Sequence, residues 1–282
     1  MTVLSWGRRY LMCRPEFFGV LYEINPWMHA EVQADPDRAH EQWDNLVHAL
    51  KGAGAQIDLL EPAGELPDLV FTANAGIVNG SQFVPARFRH PERQGETEHD
   101  VAWFAANGFT IDELPVGVAH EGAGDALPFG EVLLSGYRWR SDAASHAYLS
   151  ALTGAPVRSI ELVDERLYHL DLTFCPLDDR RAMVAPLGWD KYGLRLLEAA
   201  VPEPLLLEDD EALAFCANSV VVDNNVVMPS CPPRVGRQLE AWGFSIEVCA
   251  VGEFLKAGGG CRCLTLALDL TLGQSSRPAE AR

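Results

Sequence analysis

The chain has 282 residues, 48% of them hydrophobic, which is enough apolar material for one large domain or two small ones. Its formal charge of -18 excludes a nucleic-acid backbone or an anionic membrane as the main partner, because both reward clustered Lys and Arg. No charged-then-apolar leader opens the sequence and no apolar run reaches about 18 residues, so a soluble, cytoplasmic protein is expected.

The first predicted strand is RYLMCR, close to the N-terminus. A helix follows in DPDRAHEQWDNLVHALKG, with Asp35 as its N-cap, Pro36 in the first turn, and Ala39, Trp43, Leu46, Val47 and Leu50 on one face. The strand QIDLL comes next. From there four short strand pairs recur, AGIVNGSQFVP, DALPFGEVLLSG, CPLDDRRAMVAP and SVVVDNNVVMPS. The dipeptides Asn79-Gly80, Phe129-Gly130, Asp178-Asp179 and Asn224-Asn225 mark their turns, at intervals of 46 to 50 residues. A helical stretch and then an isolated strand follow each hairpin: ETEHDVAWFAANG to FTIDELP, SDAASHAYLSALTG to VRSIEL, WDKYGLRLLEAAV to PLLLED, and PPRVGRQLEAWG to FSIEVCAV. Gly108, Gly154 and Gly243 stand where three of these helices should end.

The period defines a strand–strand–helix–strand unit, present four times. A fifth unit has the first helix and QIDLL but no hairpin of its own. RYLMCR and the late strand RCLTLAL can pair to supply one, so the chain ends would close a ring. The predicted fold is therefore α/β, a pseudo-symmetric five-bladed ββαβ propeller forming a single domain over 1–272, with GQSSRPAEAR (273–282) as a disordered tail.

In such a ring the entrance to each hairpin comes to an equivalent place near the axis. FTANAGIVNG and FCANSVVVDNN align by eye and bring Asn74 and Asn218 to matching offsets. The other entrances carry Glu121 and Asp125 in HEGAGDAL, His169 and Asp171 in YHLDLTF, and the glycine-rich run GGGCRCLTL. Alternate-residue spacing places His169 and Asp171 on one face if that segment is a strand. The seven cysteines are odd in number and scattered, and their one tight pair, Cys261 and Cys263, lacks zinc spacing. Reduced thiols with no metal and no cofactor are expected.

Taken in order, PDLVFTANAG, EGAGDAL, HLD and a last glycine-rich loop running into Arg-Cys resemble the guanidino-modifying enzymes of the pentein fold. That group includes arginine deiminase, dimethylarginine dimethylaminohydrolase, the amidinotransferases and the arginine dihydrolases. The resemblance implies Cys263 as nucleophile and His169 as general acid and base, although a buried strand cysteine is the commoner fate of this residue type. It implies Asp171, with Glu121 or Asp125, as anchors of a planar guanidinium. The spelling EGAGD in place of the commoner EGGD leaves open which of the two acids makes the contact. It further implies Arg93 in ERQGE and Arg140 in YRWRSD as the grip on an α-carboxylate, with Arg89 and Arg138 as nearby substitutes. Asn25 in EINPWM is contributed by an N-terminal loop.

One position departs from most of these enzymes. Deiminases and dimethylarginine hydrolases usually carry an acid where this chain has Asn74, whereas Asn here, with NPWM and ERQGE, resembles the arginine dihydrolases. An amide lowers the penalty for holding a neutral ureido group, so citrulline formed in a first hydrolysis can be attacked again. The expected reaction is arginine to ornithine, carbon dioxide and two ammonia through a covalent thiouronium. Arginine deiminase and dimethylarginine dimethylaminohydrolase are the alternatives, and an amidinotransferase a more distant one. A ribosome-binding protein of the same fold would need a basic surface and no thiol, imidazole and acid together, which this sequence contradicts. The expected partner is a small molecule. The sequence is compatible with a homo-oligomer.

Overall fold

Two-residue turns place the strands. The computed structural model describes residues 4–272, so the 273–282 tail lies outside the described residues. In chain order the elements are β1 (Arg9–Cys13), α1 (Pro36–Gly52), β2 (Gln56–Leu60), β3 (Gly76–Asn79), β4 (Gln82–Pro85), α2 (Glu96–Ala106), β5 (Thr110–Ile111), β6 (Ala126–Phe129), β7 (Val132–Tyr137), α3 (Ser145–Thr153) and β8 (Val157–Glu161). They continue with β9 (Phe174–Pro176), β10 (Arg181–Val184), α4 (Lys191–Ala200), β11 (Glu203–Leu206), α5 (Asp209–Leu213), β12 (Val220–Val222), β13 (Asn225–Met228), α6 (Pro233–Ala241), β14 (Ser245–Val248), α7 (Gly252–Leu255) and β15 (Leu266–Ala267).

These strands form five three-stranded sheets of one topology. In β3–β4–β5, β6–β7–β8, β9–β10–β11 and β12–β13–β14, an antiparallel hairpin is extended by a third strand parallel to the second. The fifth sheet uses both chain ends: β1 runs antiparallel to β15, with Tyr10 opposite Ala267, and parallel to β2. The chain is thus a mixed α/β protein built from five like sheets.

The hairpins lie where the sequence puts them, but three turns are displaced by one residue. The linking pairs are Gly80-Ser81, Gly130-Glu131 and Asp223-Asn224. Positive φ is needed at the first of each pair, +60°, +58° and +53°, and glycine and the short polar Asp223 supply it. The third turn is longer, and Asp178 holds it by accepting the Arg180 and Arg181 N–H groups on Oδ1.

Helix α1 begins as expected, with the Asp35 side chain accepting from Arg38 N and Pro36 in the first turn, and it buries Ala39, Trp43, Leu46 and Leu50. Val47 is only partly covered. Gly154 caps α3 in the left-handed conformation. Helices α5 and α7 are additions to the expected plan. A capping box between Glu208 and Glu211 starts α5. The expected strand RCLTLAL shrinks to Leu266–Ala267, so Cys263 sits in the turn ahead of it. The expected strand through His169 and Asp171 is instead a 3-10 turn, Leu170–Leu172, with His169 at its start.

Candidate active site

The segments entering the five hairpins are linked in sequence by hydrogen bonds. Asn74 Nδ2 donates to Glu121 O (3.3 Å), Leu170 N to Asp125 Oδ1 (3.1 Å), Asn218 Nδ2 to Asp171 O (3.2 Å), Arg262 N to Asn218 O (3.2 Å) and Ala73 N to Cys263 O (3.1 Å). The circuit returns to its first member. The 3-10 turns Thr72–Asn74, Gly122–Gly124 and Leu170–Leu172 and the turn at Cys261–Leu264 keep these segments short enough to meet. A tight turn, and not the strand expected from their alternate spacing, keeps His169 and Asp171 in one region.

Cys263 is buried, and its Sγ donates to Asp171 Oδ2 at 3.4 Å and accepts from Asn218 Nδ2 at 3.1 Å. Burial and the neighbouring Asp171 hold the thiol well above its ordinary range, so the resting group is a protonated thiol. Burial likewise pushes the Asp171 carboxyl up to about 7, against the pull of Arg262. The other oxygen of Asp171, Oδ1, is buried and finds no hydrogen-bond partner among the described residues. Glycine is required in the loop behind Cys263: a Cβ on Gly259 would meet the Phe71 ring at 2.2 Å, and one on Gly260 would meet Asn218 Oδ1 at 2.6 Å. Cys261 is buried too, but its sulfur lies against the Cys249 carbonyl, away from this cluster.

His169 Nε2 lies 2.9 Å from Glu121 Oε2, which Arg140 Nη1 also approaches at 2.9 Å. Burial drives the imidazole down to about 4, overriding the carboxylate beside it, so His169 is neutral near pH 7. Burial alone would raise Glu121, but Arg140, the His169 hydrogen bond and Arg93 together hold it well below the usual carboxylate range. An ionised Glu121 can only accept, so the ring proton sits on Nε2 and Nδ1 is the basic nitrogen.

Arg140 also donates to Ile24 O and lies over the Tyr168 ring at 4.5 Å. Tyr168 donates its hydroxyl to Gly258 O (2.8 Å), tying this corner to the glycine-rich loop. Asn25 Nδ2 donates to Ala257 O and to Tyr168 Oη, and its Oδ1 accepts Trp27 N. A cleft of about 490 Å³ lined by Asn25, His90, Trp139, Arg140 and Tyr168 opens at this side. Arg89 borders it and is paired with Asp142, while Arg138 is exposed and paired with Glu161.

Asn74 is buried, with its Oδ1 accepting Arg93 Nη1 at 2.9 Å. Arg93 gives Nε and Nη2 to the two carboxylate oxygens of Glu96, both at 2.8 Å, and Nη2 also to Asp68 O. Four of its five N–H groups are therefore committed inside the protein. Asp125 is equally committed, accepting Leu170 N on Oδ1 and Ser141 Oγ on Oδ2 (2.6 Å). Between the two acids of EGAGD, Glu121 is the one that bears on His169 and Arg140.

The sequence places Asn218 near the axis without a role, and it singles out neither Tyr168 nor Glu96. Signals existed for all three: the second copy of Phe-x-Ala-Asn, the tyrosine beside His169, and an acid three residues past Arg93 on the following helix. No group of three or more His, Cys, Asp or Glu that could hold a metal occurs among the described residues. All seven cysteines are unpaired. No helix among the described residues is long and apolar enough to cross a membrane.

No family model matches the sequence. The chain is 44% identical over 263 residues to AgrE, the bifunctional arginine dihydrolase/ornithine cyclodeaminase of Nostoc sp., a match covering 92% of this chain and 37% of that relative. It is 39% identical over 263 residues to N(G),N(G)-dimethylarginine dimethylaminohydrolase of Mycobacterium tuberculosis, covering 93% of this chain and 86% of that protein. Among solved structures, the substrate-bound N-terminal domain of the cyanobacterial arginine dihydrolase ArgZ superposes with a TM-score of 0.89 at 42% identity, covering 94% of this chain and 98% of the domain. The chain therefore spans little more than a third of the Nostoc relative but nearly all of the isolated ArgZ domain.

Proposed function

The chain belongs to the guanidino-modifying enzymes, and from that premise we propose that it is a hydrolase of guanidino C–N bonds, an arginine dihydrolase. The observation that carries the choice is Asn74, a neutral amide fixed by Arg93 in a site whose other polar walls are Glu121 and Asp171. The five like sheets and the closed hydrogen-bond circuit support a five-bladed propeller, a single catalytic domain through 1–272 with the site at its axis. Unpaired cysteines support a cytoplasmic setting.

In this reading the guanidinium lies flat between Asp171 and Glu121 and supplies the donor that Asp171 Oδ1 lacks. Its positive charge favours the ionised forms of Asp171 and Cys263. Cys263 loses its proton to neutral His169, and the sulfur attacks the guanidino carbon. The tetrahedral adduct expels ammonia, protonated by His169, and leaves an S-alkylthiouronium. Water, deprotonated by the same ring, then releases citrulline. Arg140, and the one uncommitted N–H of Arg93, meet the α-carboxylate, with Asn25 beside the mouth and Asp125 buttressing the turn of His169.

Asn74 keeps an N–H free to donate to the ureido oxygen, and no second carboxylate repels that neutral group. A second attack by Cys263 and hydrolysis of the carbamoyl group yield ornithine, carbon dioxide and a second ammonia, with two waters consumed in all. Quantifying products from arginine tests the proposal: two ammonia per ornithine are expected, and citrulline that accumulates without ornithine overturns it. Dimethylarginine hydrolysis is the second reading, favoured by the near full-length match to the mycobacterial enzyme. Release of dimethylamine from dimethylarginine faster than ammonia from arginine would select it.

A further inference from the structure

We propose that Asn218 stabilises the Cys263 thiolate by donating Nδ2–H to Sγ, while its Oδ1 fixes the loop that carries the nucleophile. The inference rests on the reading of Cys263 as the attacking group. Asn218 is fully buried. Its Oδ1 accepts Arg262 N at 3.0 Å and Cys263 N at 3.3 Å. Two converging N–H donors admit only an oxygen there, so the NH₂ must face Sγ, at 3.1 Å, and Asp171 O, at 3.2 Å. The side chain thereby clamps both faces of the reacting residue, its backbone and its sulfur.

The charged and titratable groups around Sγ make this donor consequential. Asp171, on the adjoining 3-10 turn, accepts the thiol proton and opposes ionisation. Arg262, on the same loop, turns its guanidinium over the Trp6 ring at 5.2 Å. Tyr168 spends its hydroxyl proton on Gly258 O, and His169 is engaged with Glu121. Among the described residues Asn218 gives the one side-chain hydrogen bond donated to this sulfur. A hydrogen bond to the charged form lowers a pKa, and it strengthens when the proton leaves. Asn218 thus offsets part of the cost of creating a thiolate in a buried, acid-flanked place, and lets His169 take the proton.

The test reads the thiol without substrate. The rate of Cys263 alkylation by iodoacetamide, followed by mass spectrometry of its peptide, is measured against pH for the unsubstituted protein and for Asn218→Asp, Asn218→Ala and Asn218→Ser. Serine and alanine remove the donor without adding charge; aspartate keeps the acceptor for Arg262 N and Cys263 N, removes the donor and adds a negative charge. Its alkylation midpoint is expected to rise by about one pH unit or more, with kcat on arginine falling about tenfold or more and KM changing less than about threefold. Alanine and serine variants that fold shift the midpoint in the same direction. Any folded variant, by far-ultraviolet circular dichroism, whose midpoint stays within about 0.3 unit overturns the proposal, as does a loss confined to KM. Retained turnover in Cys263→Ser would instead overturn the nucleophile reading, a separate result.

Discussion

Asn74 and Asn218 occupy the same slot in two copies of one structural unit, yet their surroundings give them opposite duties. Asn74 turns its oxygen to Arg93, which Glu96 braces from behind, and its nitrogen to the Glu121 carbonyl. Asn218 turns its oxygen onto the loop that carries Cys263 and its nitrogen onto the sulfur. Repetition of the backbone delivers an amide to each place, and the donor or acceptor that faces it sets which way each end points. In the proposed reading one asparagine is judged by what it offers a substrate, the other by what it does to the Cys263 sulfur.

The comparison breaks most completely if the sulfur between these residues is not the reacting group. Cys263→Ser should lower turnover of arginine by about a thousandfold or more, whereas Cys261→Ser, two residues away and turned to the Cys249 carbonyl, should leave it within about twofold. The reverse pattern would move the nucleophile and dissolve the contrast. A change at Asn74 sharpens it instead. In Asn74→Asp one oxygen still meets Arg93, but the other faces the Glu121 carbonyl at the 3.3 Å now spanned by a hydrogen bond, with no proton between them. Ornithine yield is expected to fall about tenfold or more, with any turnover stopping at citrulline. Unchanged ornithine output would remove Asn74 from the specificity of the site.

The smallest effect serves as a control on stability alone. Burial drives the His120 ring down to about 3, well below its unfolded value, so it enters the fold neutral. Its contribution is fully present above the unfolded value, near pH 6.5, and is lost as pH falls toward 3. Unfolding free energy should therefore decline over that window by up to about 1.4 kcal/mol per pH unit for this one proton. His120→Gln, which can still accept the Gly122 N–H now taken by Nδ1, should flatten the slope in denaturant titrations while leaving the product ratio unchanged.

Much of this was legible because turn chemistry is local. Gly80 and Gly130 announce their hairpins through backbone freedom that needs no knowledge of the rest of the chain. The one-residue displacement of the turns, by contrast, depends on strand pairing, which a dipeptide does not encode. The pairing of His169 with Asp171 was readable from spacing, but the 3-10 turn that realises it was not, since Leu170 N reaches across to Asp125 in another unit. Asn218 could be seen as a repeat of Asn74 yet not assigned, because its partners lie 44 and 45 residues further along the chain. Arg93 illustrates the same gap: its type fits a carboxylate grip, while Glu96 and Asn74 claim most of its donors.

The fifth sheet joins Tyr10 to Ala267, and the turn bearing Cys263 immediately precedes that last strand. That pairing joins residues 10 and 267, whereas each of the other four hairpins closes within a single repeat. Contacts so far apart along the chain carry a high loop-closure cost, so the sheet that steadies the Cys263 turn is expected to be the slowest of the five to form.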